Sequence, residues 1–246
     1  MLLNDYEKAV EIIKNSKKCI AFTGAGISVQ SGIPPFRGKG GIWNKYDPKI
    51  LDIDYFLENP KESWRKIKKI FYRYINKAEP NSAHFFLSKL EKKGFLKTVI
   101  TQNIDGLHQK AGSINVIEFH GTAQKAVCMN CFEKYDISKI SLDELPPICP
   151  KCWGLLKPDF VFFKEQIPKY ALEQSLKHAQ EADCVIIIGT SGEIMPASQI
   201  PVIAKQNNAK IIEINTEKTK YTETLSDILL KEKASLAGEK FLKYFE

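Results

Sequence analysis

The chain shows two distinct patterns of hydrophobic and polar positions. In residues 5–16, apolar side chains at Tyr6, Ala9, Val10 and Ile13 follow the i, i+3, i+4, i+7 spacing of an amphipathic helix. Other short runs are rich in β-branched residues, and those at 19–22 and 184–189 are apolar at nearly every position, which is typical of strands buried on both faces of a sheet. This second pattern predicts strands over residues 19–22, 97–101, 184–189 and 210–215.

The order of these elements predicts an α/β fold. A helix-like stretch precedes each strand-like run, and this alternation favours a parallel sheet with helices on both faces. Two stretches interrupt the alternation: one is aromatic and helical in character, and the other contains four of the six cysteines. We predict a discontinuous sheet domain (residues 1–37, 78–120 and 156–246) and a smaller lobe made of a helical module (38–77) and a cysteine-containing module (121–155).

Composition and charge narrow the class of protein. The 246 residues include 36 Lys and Arg against 29 Asp and Glu, and the net charge of +7 is spread over short mixed patches. Such patches are more typical of solvated helix faces than of a nucleic-acid-binding tail. No apolar run approaches the roughly 18 residues of a membrane span, and the first residues lack a secretion signal. We expect a cytoplasmic protein without a membrane segment and, in solution, a monomer.

The cysteines predict a structural zinc site. Four of the six form two C-x-x-C pairs separated by seventeen residues: Cys128, Cys131, Cys149 and Cys152. This spacing is typical of four thiolates around one zinc ion, whereas a disulfide framework would be unusual without an export signal. Because four thiolates leave no open coordination position, the ion would support the fold rather than catalyse a reaction. Cys19 and Cys184 lie in apolar runs and are predicted to be buried.

A glycine-rich segment follows the first predicted strand. Gly24 and Gly26 allow a tight turn and a close backbone approach, and the N-terminus of the next helix would favour a pyrophosphate. Val29 stands where the usual dinucleotide fingerprint has its third glycine, so an ordinary strand-to-helix turn stays open as an alternative.

Polar clusters also follow the later strands, where ligands bind in parallel sheets. Gln102, Asn103 and Asp105 could hold sugar hydroxyls, a carboxamide or a water molecule, although a polar helix cap would use the same residues. Residues 189–191 (Gly-Thr-Ser) and 215–217 (Asn-Thr-Glu) suit phosphate and ribose contacts, but each cluster is common by itself.

His120 is the best candidate for a general base among the four histidines. It ends an apolar run at the junction of the two predicted lobes, where a cleft is expected. His84 and His178 lie in helical patterns and are interpreted as structural, whereas the role of His108 stays open.

Taken together, these motifs resemble the sirtuins, a family of NAD-dependent protein deacylases. The resemblance spans nearly the whole chain. It includes GAGIS from Gly24, QNID from Gln102, HG at His120, the cysteine quartet, VFFKE from Val161, GTS from Gly189 and NTE from Asn215. It implies a Rossmann-type large domain, NAD and Zn²⁺ as cofactors, and acyl-lysine proteins or peptides as partners.

The resemblance also implies which residues contact the ligands. NAD would contact Gly24, Ala25, Gly26, Ser28, Ile33, Phe36, Arg37, Gln102, Asn103, Ile104, Asp105, Gly189, Thr190, Ser191, Asn215, Thr216, Glu217 and Ala234. The acyl-lysine peptide would lie as an added strand against His120, Val161, Phe162, Phe163, Gly192, Glu193 and Ile194.

The implied reaction is transfer of the acyl group from lysine to ADP-ribose. The acyl oxygen attacks the ribose C1′ as nicotinamide leaves, and the products are free lysine, nicotinamide and O-acetyl-ADP-ribose. His120 would accept a proton from the ribose hydroxyls, Asn103 and Asp105 would place polar groups on the ribose, and Phe36 would exclude water.

Five positions bear on specificity. Sirtuins that prefer succinyl groups resemble one another in a Tyr and an Arg, three residues apart, on the helix that follows a Trp. Counted from Trp64, the corresponding positions in this chain are Ile67 and Ile70. An apolar pair cannot bind a carboxylate, so we predict an acetyl or longer apolar acyl group. Three residues depart from the family pattern. Pro35 implies weaker inhibition by nicotinamide, and Lys164 implies that its loop must adjust. Glu193 implies a preference for cationic peptides.

Three alternatives stay open. A mono-ADP-ribosyltransferase would use the same NAD pocket, and a dehydrogenase would use a similar one. A zinc-ribbon nucleic-acid-binding module is disfavoured because the segment 128–152 contains four acidic residues beside three lysines and no arginine. We therefore expect no sequence-specific nucleic-acid partner.

Overall fold

The computed structural model describes residues 3–36, 38 and 40–246. Its strands are β1 (Cys19–Thr23), β2 (Leu96–Thr101), β3 (Val116–Glu118), β4 (Gly121–Cys128), β5 (Lys134–Asp136), β6 (Leu156–Phe160), β7 (Cys184–Ile188), β8 (Lys210–Asn215) and β9 (Ile228–Lys231). Its α-helices are α1 (Asp5–Asn15), α2 (Ile53–Glu58), α3 (Pro60–Ile67), α4 (Arg73–Ile75), α5 (Ser82–Lys92), α6 (Leu107–Lys110), α7 (Lys169–Glu181), α8 (Gln199–Gln206), α9 (Lys220–Thr224) and α10 (Ala234–Tyr244). Short 3₁₀ helices occupy Ala25–Ser31, Ile42–Asn44, Pro48–Leu51 and Ile137–Lys139, and a π-helical turn joins α3 to α4 over Lys68–Tyr72.

Six strands form a parallel sheet in the order β3-β2-β1-β7-β8-β9. Successive side chains of β1 point to opposite faces, so Cys19 and Ala21 pack with α1, α5 and α10, while Ile20 and Phe22 pack with α7 and α8. Burial on both faces explains why β1 and β7 are nearly continuous apolar runs. The predicted α/β fold with a parallel sheet is confirmed.

The strand order creates a crevice at the carboxyl edge of the sheet. From β1 the chain continues outward through β2 and β3, whereas β7, β8 and β9 extend in the opposite direction from β1. The chain after β1 packs on one face of the sheet, where Ile27 is buried, and the chain after β7 packs on the other face, where Ala197 is buried. Such a switch point is where ligands bind in open parallel sheets. The polar clusters predicted from the sequence follow strands that end at this edge.

The smaller lobe contains an antiparallel sheet in the order β5-β4-β6 beside the helices of residues 42–75. Both parts share one apolar cluster, in which Phe56 and Trp64 of the helical part pack with Ala123 and Phe160 of the sheet. The Trp64 indole also donates to the Leu156 carbonyl oxygen at 2.8 Å. These contacts join the two insertions, although their boundaries stay predictions.

The two cysteines outside the C-x-x-C pairs are buried, as predicted. Cys19 and Cys184 have no exposed surface and lie opposite each other in the β1–β7 register. Among the described residues, no helix combines the length and apolar character needed to cross a membrane.

Candidate active site

The glycine-rich segment forms one wall of the crevice. The Gly26 N–H donates to the Gly189 carbonyl oxygen at 2.8 Å, and a Cβ on Gly26 would lie 2.5 Å from the Gly189 Cα. The glycines are therefore required for the loops after β1 and β7 to touch, in addition to the turn that the sequence predicted. The helix that follows Gly24 is a 3₁₀ helix rather than an α-helix.

A buried polar network joins this wall to the loop after β2. The Ser28 hydroxyl donates to Asp105 Oδ2 at 2.7 Å, and the Asn103 amide donates to Ser28 Oγ at 3.2 Å and to the Gly24 carbonyl oxygen at 3.3 Å. Asp105 also accepts from the Leu107 N–H at 2.9 Å. Burial raises the pKa of the Asp105 carboxyl despite these hydrogen bonds. The network fixes Asn103 and Asp105 at the crevice, and the Leu107 N–H that Asp105 accepts from is the first N–H of α6, whose N-cap residue is Gly106.

Seven of the predicted NAD-binding residues line one small cavity of about 20 Å³: Ala25, Ser28, Ile33, Phe36, Asn103, Ile104 and Asp105. The rest of its wall is mainly apolar and includes Ile42, Ile70 and Phe71 from the helical module. The lining combines this apolar wall with amide, hydroxyl and carboxyl groups, a mixture that is typical of small-molecule sites, while the cavity itself has room for only about one water molecule. The predicted contact from Arg37 lies outside the described residues.

His120 follows β3 and has a defined tautomer. Its Nδ1 lies 3.1 Å from the Gln102 carbonyl oxygen. Because a carbonyl oxygen only accepts, Nδ1 carries the proton and Nε2 keeps its lone pair. Burial lowers the pKa of His120, and the hydrogen bond to Gln102 opposes this only in part. The imidazole is therefore neutral near pH 7 and able to accept a proton at Nε2.

Hydrogen bonds between neighbouring loops continue the crevice beyond β7 and β8. The Gln102 side chain donates to Thr190 Oγ1 at 3.0 Å, and the Asn215 side chain donates to the Thr190 carbonyl oxygen at 3.0 Å. Three polar clusters that are distant in sequence thus meet at one edge.

The remaining predicted NAD contacts surround this edge. Ser191, Thr216 and Glu217 are exposed on the turns after β7 and β8. Ala234 is buried at the start of α10. The N–H of the following residue, Ser235, donates to the Gln30 side-chain oxygen at 3.5 Å. The α10 N-terminus therefore lies beside the glycine-rich segment.

The segment after β6 connects His120 with the helical module. The Val161 N–H donates to the His120 carbonyl oxygen at 2.8 Å. Phe163 bonds to the helical module. Its N–H donates to the Leu51 carbonyl oxygen at 2.7 Å, and its carbonyl oxygen accepts from the Ile53 N–H at 3.3 Å. These bonds leave Phe163 45% exposed at the surface.

Lys164 occupies a backbone conformation that favours glycine. Its φ is +73°, so the loop keeps the left-handed conformation instead of adjusting to the side chain. The Lys164 ammonium lies 2.8 Å from Asp52 and 2.7 Å from Asp54, which are at the start of α2. The ion pairs add to the backbone bonds between this segment and the helical module.

Two histidines contact the site in a way that sequence analysis missed. His84 Nε2 lies 3.5 Å from Ser28 Oγ, and burial lowers the pKa of His84 to about 4. His108 is buried with its Nε2 2.9 Å from Thr23 Oγ1. A signal for the burial of His84 was present, because Leu87 and Ser88 lie three and four residues later on the same buried helix face.

The four C-x-x-C cysteines converge in the smaller lobe. Their sulfur atoms all lie within 4.8 Å of one another. The Cys128–Cys152 and Cys131–Cys149 sulfur distances are 3.4 and 3.8 Å, near the roughly 3.8 Å expected for a tetrahedral zinc site. The Tyr135 hydroxyl lies 3.2 Å from the Cys149 sulfur. The four cysteines are thus positioned to bind a zinc ion, as predicted.

Comparison with known sequences gives consistent matches. A profile of the Sir2 family matches residues 24–196. An NAD-dependent protein deacetylase of Sulfurisphaera tokodaii is 44% identical over 231 residues, which cover 92% of this chain and 90% of that protein. An NAD-dependent protein deacylase of Pyrococcus abyssi is 43% identical over 237 residues, which cover 92% of each chain.

Solved structures resemble the whole fold. A Sir2 homologue in complex with ADP-ribose matches with a TM-score of 0.92 and 38% identity over 97% of this chain and 96% of that one. A Sir2 protein with a deacetylated peptide and 3′-O-acetyl-ADP-ribose matches with a TM-score of 0.91 and 34% identity, over 96% and 97% of the two chains.

Proposed function

We infer that this chain, which belongs to the Sir2 family, is an NAD-dependent protein lysine deacetylase. It transfers the acyl group from lysine side chains to ADP-ribose, one water molecule is consumed, and the products are free lysine, nicotinamide and O-acetyl-ADP-ribose. The similarity to named deacetylases and deacylases extends over more than nine-tenths of the chain. Within the site, the observation that carries the proposal is a neutral, tautomerically fixed His120 beside a buried network of amide, hydroxyl and carboxyl groups.

The crevice suits an extended NAD molecule. Asn103 and Asp105 would hold the nicotinamide half, and the turns that contain Thr190 and Asn215 would hold the adenosine half. NAD supplies the electrophilic ribose carbon and the hydroxyl groups that take up the acyl group. Phe36 would cover the ribose and exclude water, which would otherwise compete with the acyl oxygen.

The chain's own contribution is to position groups and accept a proton. His120 would accept the proton of a ribose hydroxyl at Nε2, because Nδ1 is committed to the Gln102 carbonyl oxygen. Asn103 and Asp105 would orient the ribose through polar contacts in a site from which water is excluded.

The acyl-lysine peptide is proposed to bind as a strand between residues 161–163 and residues 192–194. The backbone bond from Val161 to the carbonyl oxygen of His120 places the first segment next to the proposed base. The backbone groups of Phe162 and Phe163 already bond to Glu165, Leu51 and Ile53, so the peptide backbone would pair with the Val161 carbonyl oxygen and with residues 192–194. Backbone recognition would tolerate many peptide sequences. Cytoplasmic location, a monomeric state and the lack of a sequence-specific nucleic-acid partner stay predictions, which cell fractionation, sedimentation and filter binding with a salt series would test.

The direct test of this function is mass spectrometry of the products formed from NAD and an acetyl-lysine peptide. We expect deacetylated peptide, nicotinamide and O-acetyl-ADP-ribose in equal amounts. A mono-ADP-ribosyltransferase would instead transfer ADP-ribose, radiolabelled in its adenylate portion, from NAD to protein and release nicotinamide, and a dehydrogenase would change the absorbance of the nicotinamide. Either of these outcomes without O-acetyl-ADP-ribose would contradict the proposal.

The same assay tests acyl preference. Ile67 and Ile70 are almost completely buried in the apolar cluster of the smaller lobe, and Ile70 also lines the small cavity. A succinyl carboxylate near them would be desolvated without a partner, so we expect kcat/KM for a succinyl peptide to be about 100-fold lower than for a butyryl peptide. These acyl groups have the same number of carbons, so their comparison isolates the charge. Similar kcat/KM values would refute this preference.

A further inference from the structure

Lys157 is a buried cation that the proposed reaction does not use. Its side chain is only 6% exposed, yet its ammonium donates to the carbonyl oxygens of Pro158 and Phe160 at 3.1 and 2.7 Å and to Glu165 at 2.9 Å. It also lies 4.2 Å from the centre of the Phe162 ring. All three ammonium protons therefore have acceptors within one turn of the chain.

Glu165 closes this turn from the other side. The carboxylate oxygen that accepts from Lys157 also accepts from the Phe162 N–H at 2.7 Å, and the Glu165 N–H donates back to the Phe162 carbonyl oxygen at 3.1 Å. The Lys157–Glu165 pair thus fixes the path of residues 160–165 at the end of β6.

This turn contains the segment to which the peptide is proposed to bind. Residues 161–163 bond to His120 on one side and to the helical module at Leu51 and Ile53 on the other. A shift of the turn would therefore move the peptide strand relative to the imidazole. Displacements of about 1 Å are enough to lower enzyme efficiency on the order of 100-fold.

Stability alone does not account for the pair. Desolvation offsets much of the attraction between buried charges, and well-packed apolar side chains often stabilise a fold as well or better. The pair differs from apolar packing in its directional bonds to three backbone groups, the carbonyl oxygens of Pro158 and Phe160 and the N–H of Phe162.

We propose that Lys157 and Glu165 are positioning residues that hold residues 161–163 in register for the acyl-lysine peptide and thereby set its KM. This inference rests on the proposed deacetylase function. Among the described residues, neither member of the pair bonds to a proposed NAD-binding residue. Its effect should therefore be specific to the peptide and not extend to NAD.

The test compares steady-state kinetics of Lys157→Met with those of the unmodified protein, well below the unfolding temperature. We expect the peptide KM to rise on the order of 10- to 100-fold, while the NAD KM changes less than about twofold. Lys157→Arg, which keeps the charge and several donors, should restore the peptide KM to within about threefold. Lys134→Met is the matched control, since it removes an exposed ion pair to Asp159 of the same strand and should leave both KM values unchanged.

An unchanged peptide KM in folded Lys157→Met protein would overturn the proposal, and so would equal increases in both KM values, because these indicate general damage. If Lys157→Met does not fold, Glu165→Gln decides in the same way, with a selective rise of the peptide KM as the supporting result. Formation of O-acetyl-ADP-ribose by the unmodified protein is measured first. Its absence would refute the proposed function, whereas its presence with unaltered variants would refute only the positioning role.

Discussion

Replacing His120 with alanine is expected to abolish deacylation while NAD still binds. The variant loses the only group that we propose to accept the ribose proton, and loss of a general base lowers turnover by about 10²- to 10⁴-fold. NAD binding should persist because the network of Ser28, Asn103 and Asp105 does not include the imidazole. Product formation by mass spectrometry and NAD binding by calorimetry would measure the two effects separately.

The matched control is His178→Ala, which makes the same change on α7. We expect it to keep normal turnover. Near-normal turnover of His120→Ala would remove the assignment of the base.

The unmodified enzyme should also lose kcat/KM on the acidic side, below a pH of about 6.5. Burial lowers the pKa of His120, and only the neutral imidazole accepts a proton.

Much of the sheet was predictable because its strands are simple in composition. β1 and β7 are apolar at nearly every position, so burial on both faces could be inferred before the fold was known, whereas β8 also contains Lys210, Glu213 and Asn215. By contrast, β6 contains Lys157, Pro158 and Asp159, and a proline argues against a strand. β6 is a strand because its partner β4 pairs with it, and that information is not local.

In the candidate site, too, some positions could be predicted from the local sequence and others depend on contacts between distant segments. Asn103 and Asp105 follow a recognisable strand, so their place at the sheet edge follows from the topology. The contact between Gly26 and Gly189 depends on the adjacency of β1 and β7, which are separated by more than 150 residues. The approach of His84 to Ser28 likewise depends on how α5 packs, and helical periodicity alone predicts only that one face is buried.

Loss of the zinc ion is expected to unfold the smaller lobe and abolish activity. Structural zinc sites contribute about 10–16 kcal/mol to the folding of small modules, and the Cys128 sulfur lies at the end of β4. β4 pairs with β6, which leads directly into the proposed peptide segment. Cys149→Ala should therefore lose one equivalent of zinc, lower the unfolding temperature and reduce deacylation on the order of 100-fold or more.

The matched control for this change is Cys184→Ala, since Cys184 is equally buried but lies in β7 of the large sheet. It should keep one equivalent of zinc even if the loss of a buried sulfur lowers stability slightly. Zinc content is measured by elemental mass spectrometry, and unfolding by circular dichroism. A Cys149→Ala protein that retains both its zinc and its activity would contradict a four-thiolate site, because three thiolates would then suffice. Loss of zinc with full activity would instead show that the peptide segment keeps its position without the metal. Activity would then not depend on the zinc site of the smaller lobe.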